Sequence, residues 1–190
     1  EVNSVYILVG SLPIKTQNKI KNRSFLIGPN GNIMFKYDKI HMFDVTLPNN
    51  EIYAESKTYS PGSKAVIAKI KLKRLIKLGM SICYDLRFPN LYQGLAKNGA
   101  EIITVPSAFS INTGKLHWHT LLRARAIETG TFIIAPAQTG IHVNNRQTYG
   151  HSLIISPSGK ILADGKKEET IINVTIDLNE VKEAKKMIYN

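Results

Sequence analysis

Apolar positions along this chain arrive in short runs separated by turn residues, and only in its middle and at its end do they adopt a helical spacing. "VYILVGS" (5–11) reads as a buried strand. "RSFLIGPNGNIMFKYDK" (23–39) reads as a hairpin, two apolar runs around the turn residues Pro29-Asn30-Gly31. Residues 40–63 show no period and contain Pro48, Pro61 and Gly62, which predicts a long loop of the kind that is often functional in a compact domain. "KAVIAKIKLKRLIKLGMSIC" (64–83) reads as two strands, the second ending at Cys83, with lysines on the wet face guarding an edge. "RFPNLYQGLAKNGA" (87–100) predicts a helix: Pro89 suits its first turn, and Leu91, Leu95 and Ala96 mark one face. "EIITVPSAF" (101–109) and "TFIIAPAQ" (131–138) read as buried strands. Between them, "GKLHWHTLLRARAIETG" (114–130) predicts a helix with Trp118, Leu121, Leu122 and Ala126 inward and Gly130 as its stop. "YGHSLIISPSGKILADG" (149–165) reads as a second hairpin, and "ETIINVTIDLNEVKEAKKMIY" (169–189) as a strand and a terminal helix capped by Asp177. Alternating strands and helices flanked by hairpins predict a mixed sheet covered by helices, in one domain over residues 1–190.

Composition narrows the class. Hydrophobic residues at 43% and charged residues at 21% are ordinary for a globular protein. No apolar stretch is long enough to span a bilayer, and "EVNSVYILVGS" lacks the basic start of a signal peptide. One cysteine forms no internal disulfide, so a reducing, cytoplasmic setting is the simplest reading, and the sequons at Asn22 and Asn173 are read as chance. A net charge of +11 raises a nucleic-acid hypothesis, but the lysines are spread along the chain without a recognition motif. Neither a nucleic-acid nor a membrane partner is therefore expected.

Candidate chemistry centres on "GMSICYDLRFP" (79–89). A lone cysteine is ordinarily a small buried hydrophobe. Cys83, however, closes an apolar strand and opens a strand-to-helix turn, where backbone N–H groups converge and α/β sheets bind ligands. Lys39 and His41 in "YDKIHMFD", and Glu55 in "YAESKTYSPG", are each unremarkable alone.

Together, "YDKIHMFD", "ESKTYSPG", "GMSICYDLRFPNLYQGLAKNGAEIITVPSAF" and "HWHTLLRARAIETGTFIIAPAQTG…YGHSLIISPSG" resemble the carbon–nitrogen hydrolase (nitrilase) superfamily, in its Nit-type branch of omega-amidases and deaminated-glutathione amidases. The resemblance runs from about Val5 to Glu183. "RARAIETG" and "AQTG" lean toward the deaminated-glutathione amidases. It implies an α/β fold, an α-β-β-α sandwich that dimerises through helices, here expected to lack its first strands and helices as an N-terminally truncated domain. It also implies hydrolysis of a small linear amide with ammonia release, without metal or organic cofactor. Cys83 matches the nucleophile, Lys39 the lysine that stabilises the oxyanion, and Glu55 the glutamate that positions that lysine. The backbone N–H of Tyr84 is the expected second oxyanion donor, with Phe109 and Thr113 lining the pocket and Asp85 and Arg87 forming an ion pair that holds the turn. His117 and Trp118 are expected to pack a helix into the core, His151 to be a hydrogen-bonded core residue, and Arg123, Arg125 and Glu128 to be structural or interface charges. The superfamily's general-base glutamate belongs to an earlier segment, and its role does not transfer to Glu1. The alternative expectation is therefore a catalytically impaired fragment acting as a binding or assembly subunit, and uncovered sheet surface predicts homo-oligomers.

Overall fold

The computed structural model describes residues 4–17, 19–46 and 52–188. Glu1 and the loop residue Pro48 lie outside the described residues. The chain forms a mixed α/β structure around a central sheet of six strands. In chain order these are β6 (Val66–Lys71), β7 (Leu75–Met80), β8 (Ile102–Thr104), β9 (Phe132–Ala135), β12 (Leu153–Ile155) and β13 (Ile161–Asp164), and they lie side by side as β13-β12-β9-β8-β7-β6. The middle strands β7, β8 and β9 are parallel, whereas the hairpins β6–β7 and β12–β13 are antiparallel and form the two edges. Lys69 and Lys71 on the edge strand β6 face solvent, the expected protection against edge pairing.

A second, three-stranded antiparallel sheet consists of β1 (Ile7–Lys15), β2 (Ile20–Ile27) and β3 (Ile33–Asp38). Its β2–β3 turn is the predicted one, with Gly31 at φ 81°, a conformation glycine adopts without steric cost. The strand expected to be buried at its start is instead an edge: Ile7 and Leu12 in β1 are about half exposed, because β2 covers one side of the strand only.

Two cores flank the central sheet. On one face Leu26 and Tyr37 of the small sheet pack with Ala68, Met80, Ile102 and Phe132. On the other, α1 (Pro89–Lys97), α3 (His119–Thr129) and Trp118 just before α3 bury Leu91, Leu95, Leu122, Ala126 and the indole ring against Ile103, Ile133 and Ile155. α1 starts on Pro89 as predicted, and α3 ends where Gly130 takes the left-handed conformation at φ 58°. A short turn α2 (Ile111–Thr113) and a wide π turn over Gly114–Trp118 precede α3.

Three elements depart from the sequence reading. The long loop of residues 40–63 contains a small hairpin, β4 (Asp44–Thr46) with β5 (Ile52–Ala54), and a 3-10 turn over Glu55–Lys57. A further hairpin joins β10 (Thr139–Ile141) to β11 (Gln147–Tyr149). The strand predicted in "ETIINVTI" is not a strand: residues 171–176 alternate exposed and half-buried positions but join no ladder. Period-two patterning specifies an extended chain, while a strand also needs a partner edge. The terminal helix α4 (Asn179–Ile188) follows, with the Asp177 carboxylate accepting the Asn179 N–H at 2.9 Å.

Candidate active site

β7 and β8 run parallel, and their pairing continues past the ends of both strands: the Ser81 N–H donates to Thr104 O at 3.1 Å and the Cys83 N–H to Pro106 O at 3.0 Å. Cys83 thereby stands beyond the C-terminal end of a parallel strand, the side on which open α/β sheets bind ligands. It opens a 3-10 turn, Cys83–Arg87, with φ at 47°, a region that non-glycine residues seldom occupy. Such strain persists only where the surroundings over-determine it. Here they do: the buried Asp85 carboxylate accepts the Ile82 N–H (2.9 Å), and from α3 the Arg125 Nε–H donates to Leu86 O (2.9 Å). The result is a strand–turn bend that turns the Cys83 side chain into a cavity of about 730 Å³. The Tyr84 N–H lies in the first turn of this helix, where N–H groups have no intrahelical acceptor.

Lys39 reaches the same cavity from the end of β3 and is 3% exposed. Its ammonium bonds the Glu55 carboxylate. Among the described residues, the other donors to Glu55 are the Phe43 N–H (2.7 Å) and the Asn22 side-chain amide (3.2 Å), so both carboxylate oxygens are engaged. The local backbone is fixed by close approach: the Gly62 N–H donates to Lys39 O at 2.7 Å, and a Cβ on Gly62 would collide with Asp38 O. Lys39 Nζ also lies 6.0 Å from the centre of the Tyr84 ring, which in turn packs edge-on against Phe43 and Phe88.

The cavity lining brings together Lys39, Glu55, Cys83, Tyr84, Phe109 and Thr113, together with Arg87. Asp85 stands behind it, fully buried, and its pairing with Arg87 is not formed. Asp85 instead accepts hydrogen bonds from Tyr37 Oη (2.7 Å) and the His41 N–H (3.0 Å), and pairs with His41 Nδ1 at 2.7 Å. Burial, and then the facing Asp85 charge, push the Tyr37 phenol pKa well above its ordinary value, so Tyr37 remains a donor. The two side chains take different surroundings: Asp85 is enclosed by Tyr37 and His41, while Arg87 lines the cavity. Arg87 faces the cavity, lies 5.9 Å from the Tyr84 ring centre and 5.5 Å from that of Phe109, and contacts His117 Nδ1 at 3.2 Å. His117 is accordingly a neighbour of the cavity rather than core packing, whereas Trp118 is core as expected.

Asn22, Arg146 and Gln138 also line the cavity and escaped the sequence reading. No signal in the sequence aims any of the three at this cavity, and the Asn22 contact with Glu55 gives one of them a defined role. Arg125 pairs with Glu128 at 2.9 Å, consistent with structural charges. Among the described residues, one group has the spacing of metal ligands, His119, His151 and Asp164, and none of these lines the cavity. No described helix is long and apolar enough to cross a membrane.

Comparison with known proteins bears directly on this geometry. The family profile described as carbon-nitrogen hydrolase matches residues 2–186. A deaminated glutathione amidase from Synechocystis is 42% identical over 187 residues, covering 97% of this chain and 68% of that protein. The Xenopus tropicalis omega-amidase NIT2 is 34% identical over 184 residues, covering 97% of this chain and 66% of that protein. Among solved structures, the NitFhit protein of Caenorhabditis elegans superposes with a TM-score of 0.88 at 36% identity, over 97% of this chain and 45% of that one. Saccharomyces cerevisiae Nit3, a member of branch 10 of the nitrilase superfamily, superposes with a TM-score of 0.86 at 31% identity, over 98% and 65%. The chain thus spans about two thirds of the length of these curated relatives and less than half of the NitFhit chain.

Proposed function

This chain belongs to the carbon-nitrogen hydrolase family, and on that premise we propose that its cavity hydrolyses a small carboxylate-bearing amide through a thioester on Cys83. The observation that carries the reading is the strained Cys83 turn facing the same cavity as the Lys39–Glu55 pair. The thiolate attacks the amide carbon, and the carbonyl oxygen becomes an oxyanion. Lys39, held in place by Glu55, and the first-turn Tyr84 N–H are the donors for that oxyanion. Collapse expels ammonia once the leaving nitrogen is protonated, and water then cleaves the thioester through a second oxyanion, releasing the acid and the thiol.

Arg87 supports the choice of a carboxylate-bearing substrate. Among the described residues, its guanidinium contacts a histidine and two ring faces rather than a carboxylate, which leaves a planar cation directed at the cavity. The names of the two amidase relatives fit that class.

Proton transfer is assigned differently. Glu55 is the only carboxylate among the described lining residues, and its oxygens are held by Lys39, Phe43 and Asn22. A carboxylate so engaged is a poor base, so Glu55 positions Lys39, and the base is assigned, on the family resemblance, to a glutamate of the segment that precedes these motifs in the relatives. General-base roles are worth ~10²–10⁴ in rate. Ammonia release from a dicarboxylic acid monoamide tests both points. The 190-residue chain is expected to turn over slowly, and a chain extended by the preceding segment of a relative at least ~10²-fold faster. In the extended chain, Cys83→Ser should remove activity, and Arg87→Ala should raise KM more than it lowers kcat. Activity retained by Cys83→Ser overturns the thioester route. Rapid turnover by the 190 residues alone overturns the assignment of the base.

A further inference from the structure

Away from the cavity, three separate elements bring two imidazoles and a carboxylate together. His119 is the first residue of α3, His151 follows β11, and Asp164 is the last residue of β13. One potential ligand atom from each lies within 4.8 Å of the other two. His151 Nδ1 is 3.0 Å from Asp164 Oδ1, and His119 Nε2 is 3.5 Å from Asp164 Oδ2. Ligand atoms around a tetrahedral or octahedral metal ion of zinc size stand roughly 3 Å apart, given metal–ligand distances of about 2.0–2.2 Å. The two carboxylate–imidazole separations are close to that size.

The backbone around the group is set for this convergence. The π turn over Gly114–Trp118 shifts the phase of the helix just before His119, and π turns recur at functional sites. His151 and Lys166 both adopt the left-handed conformation, at φ 57° and 54°. The Lys166 N–H donates to Asp164 Oδ1 at 2.8 Å, while the Trp118 indole N–H donates to His151 O at 2.8 Å. Tyr149 stacks on the His151 ring, with ring centres 4.5 Å apart. The side chains are 12–29% exposed, within reach of an ion from solvent yet sheltered enough to hold their geometry.

We propose that His119, His151 and Asp164 form a binding site for a divalent transition-metal ion of the zinc class, distinct from the amide cavity. Two neutral imidazoles and one carboxylate present a net single negative charge and a two-histidine, one-carboxylate donor set that leaves positions for water. Two existing contacts must yield. The Lys166 ammonium, 3.0 Å from Asp164 Oδ2, swings away, which costs little because that side chain is 69% exposed. The proton on His151 Nδ1, where that atom is the ligand, passes to Nε2 or to solvent. The bound ion joins the start of α3, the turn after β11 and the edge strand β13, and so stabilises the folded state.

Calorimetric titration of zinc chloride into untagged, chelator-treated 190-residue protein carrying Cys83→Ser tests the site without a competing thiol. One ion per chain and a Tm that rises with zinc concentration are expected. His119→Ala, a change at a partly exposed helix position, should weaken zinc at least tenfold with an unaltered far-ultraviolet dichroism spectrum. Cobalt(II) should give visible d–d bands of an N/O-ligated ion without thiolate charge transfer, and His151→Ala or Asp164→Asn should remove them. No uptake by the Cys83→Ser protein, or equal affinity in folded His119→Ala, overturns the proposal.

Discussion

Asp85 shows how one buried residue organises the candidate site without entering it. Its two oxygens receive Tyr37, the Ile82 N–H, the His41 N–H and the His41 ring, which ties the end of β3 to the Cys83 turn. A buried carboxylate is tolerable because each lone pair meets a donor. Asp85→Asn replaces one acceptor by an NH₂ group facing those donors and removes the charge opposite His41. The expected cost is about 3–5 kcal/mol, read as a lower urea midpoint at unchanged m-value. A loss below ~1 kcal/mol, the size of an ordinary neutral hydrogen bond, would mean that the network carries no special weight.

At the scale of elements, the parallel trio β7, β8 and β9 carries the site, and short polar contacts hold its register. Glu101, just before β8, accepts Arg74 from the β6–β7 turn at 2.6 Å and the Lys77 N–H of β7 at 3.3 Å. Burial alone would raise the Glu101 carboxyl pKa, but the Arg74 and Lys77 hydrogen bonds outweigh it, and the value falls below the ordinary 4.5. A carboxyl depressed in the folded state adds stability above its unfolded value, and that stability is lost as pH falls through the folded one. Melting curves should therefore separate wild type from Glu101→Gln at neutral pH, with wild type higher, and the gap should close as pH drops below 4.5. A gap that widens in acid would contradict the assignment.

For the whole molecule, the central sheet is buried on both faces, and Cys83 packs against both cores. Loosening either side therefore reaches the turn. Phe132, fully buried on β9 between the two sheets, is the sharpest test. Phe132→Ala should cost about 3–5 kcal/mol by urea unfolding. It should also speed iodoacetamide labelling of Cys83, because the constraints that hold φ at 47° relax. Unchanged labelling in a folded but destabilised variant would show that the turn is held locally, by Asp85 and Arg125 alone.

The layout was legible in the residues themselves: period-two runs, turn residues such as Asn30-Gly31, Pro89 and Gly130, and the order of motifs that carry Lys39, Glu55 and Cys83. These are local signals, set by φ/ψ preference and by which face of an element is apolar, so they survive without knowledge of distant contacts. Tertiary structure alone decided what meets what. It paired Asp85 with His41 instead of Arg87, turned Arg87 toward the cavity, and left the alternating "ETIINVTI" without a ladder. It also gathered His119, His151 and Asp164 from positions up to 45 residues apart (164 − 119). Side-chain pairing depends on where chain segments cross, and the free energy that decides the crossing comes from burial summed over both cores rather than from any short stretch of sequence.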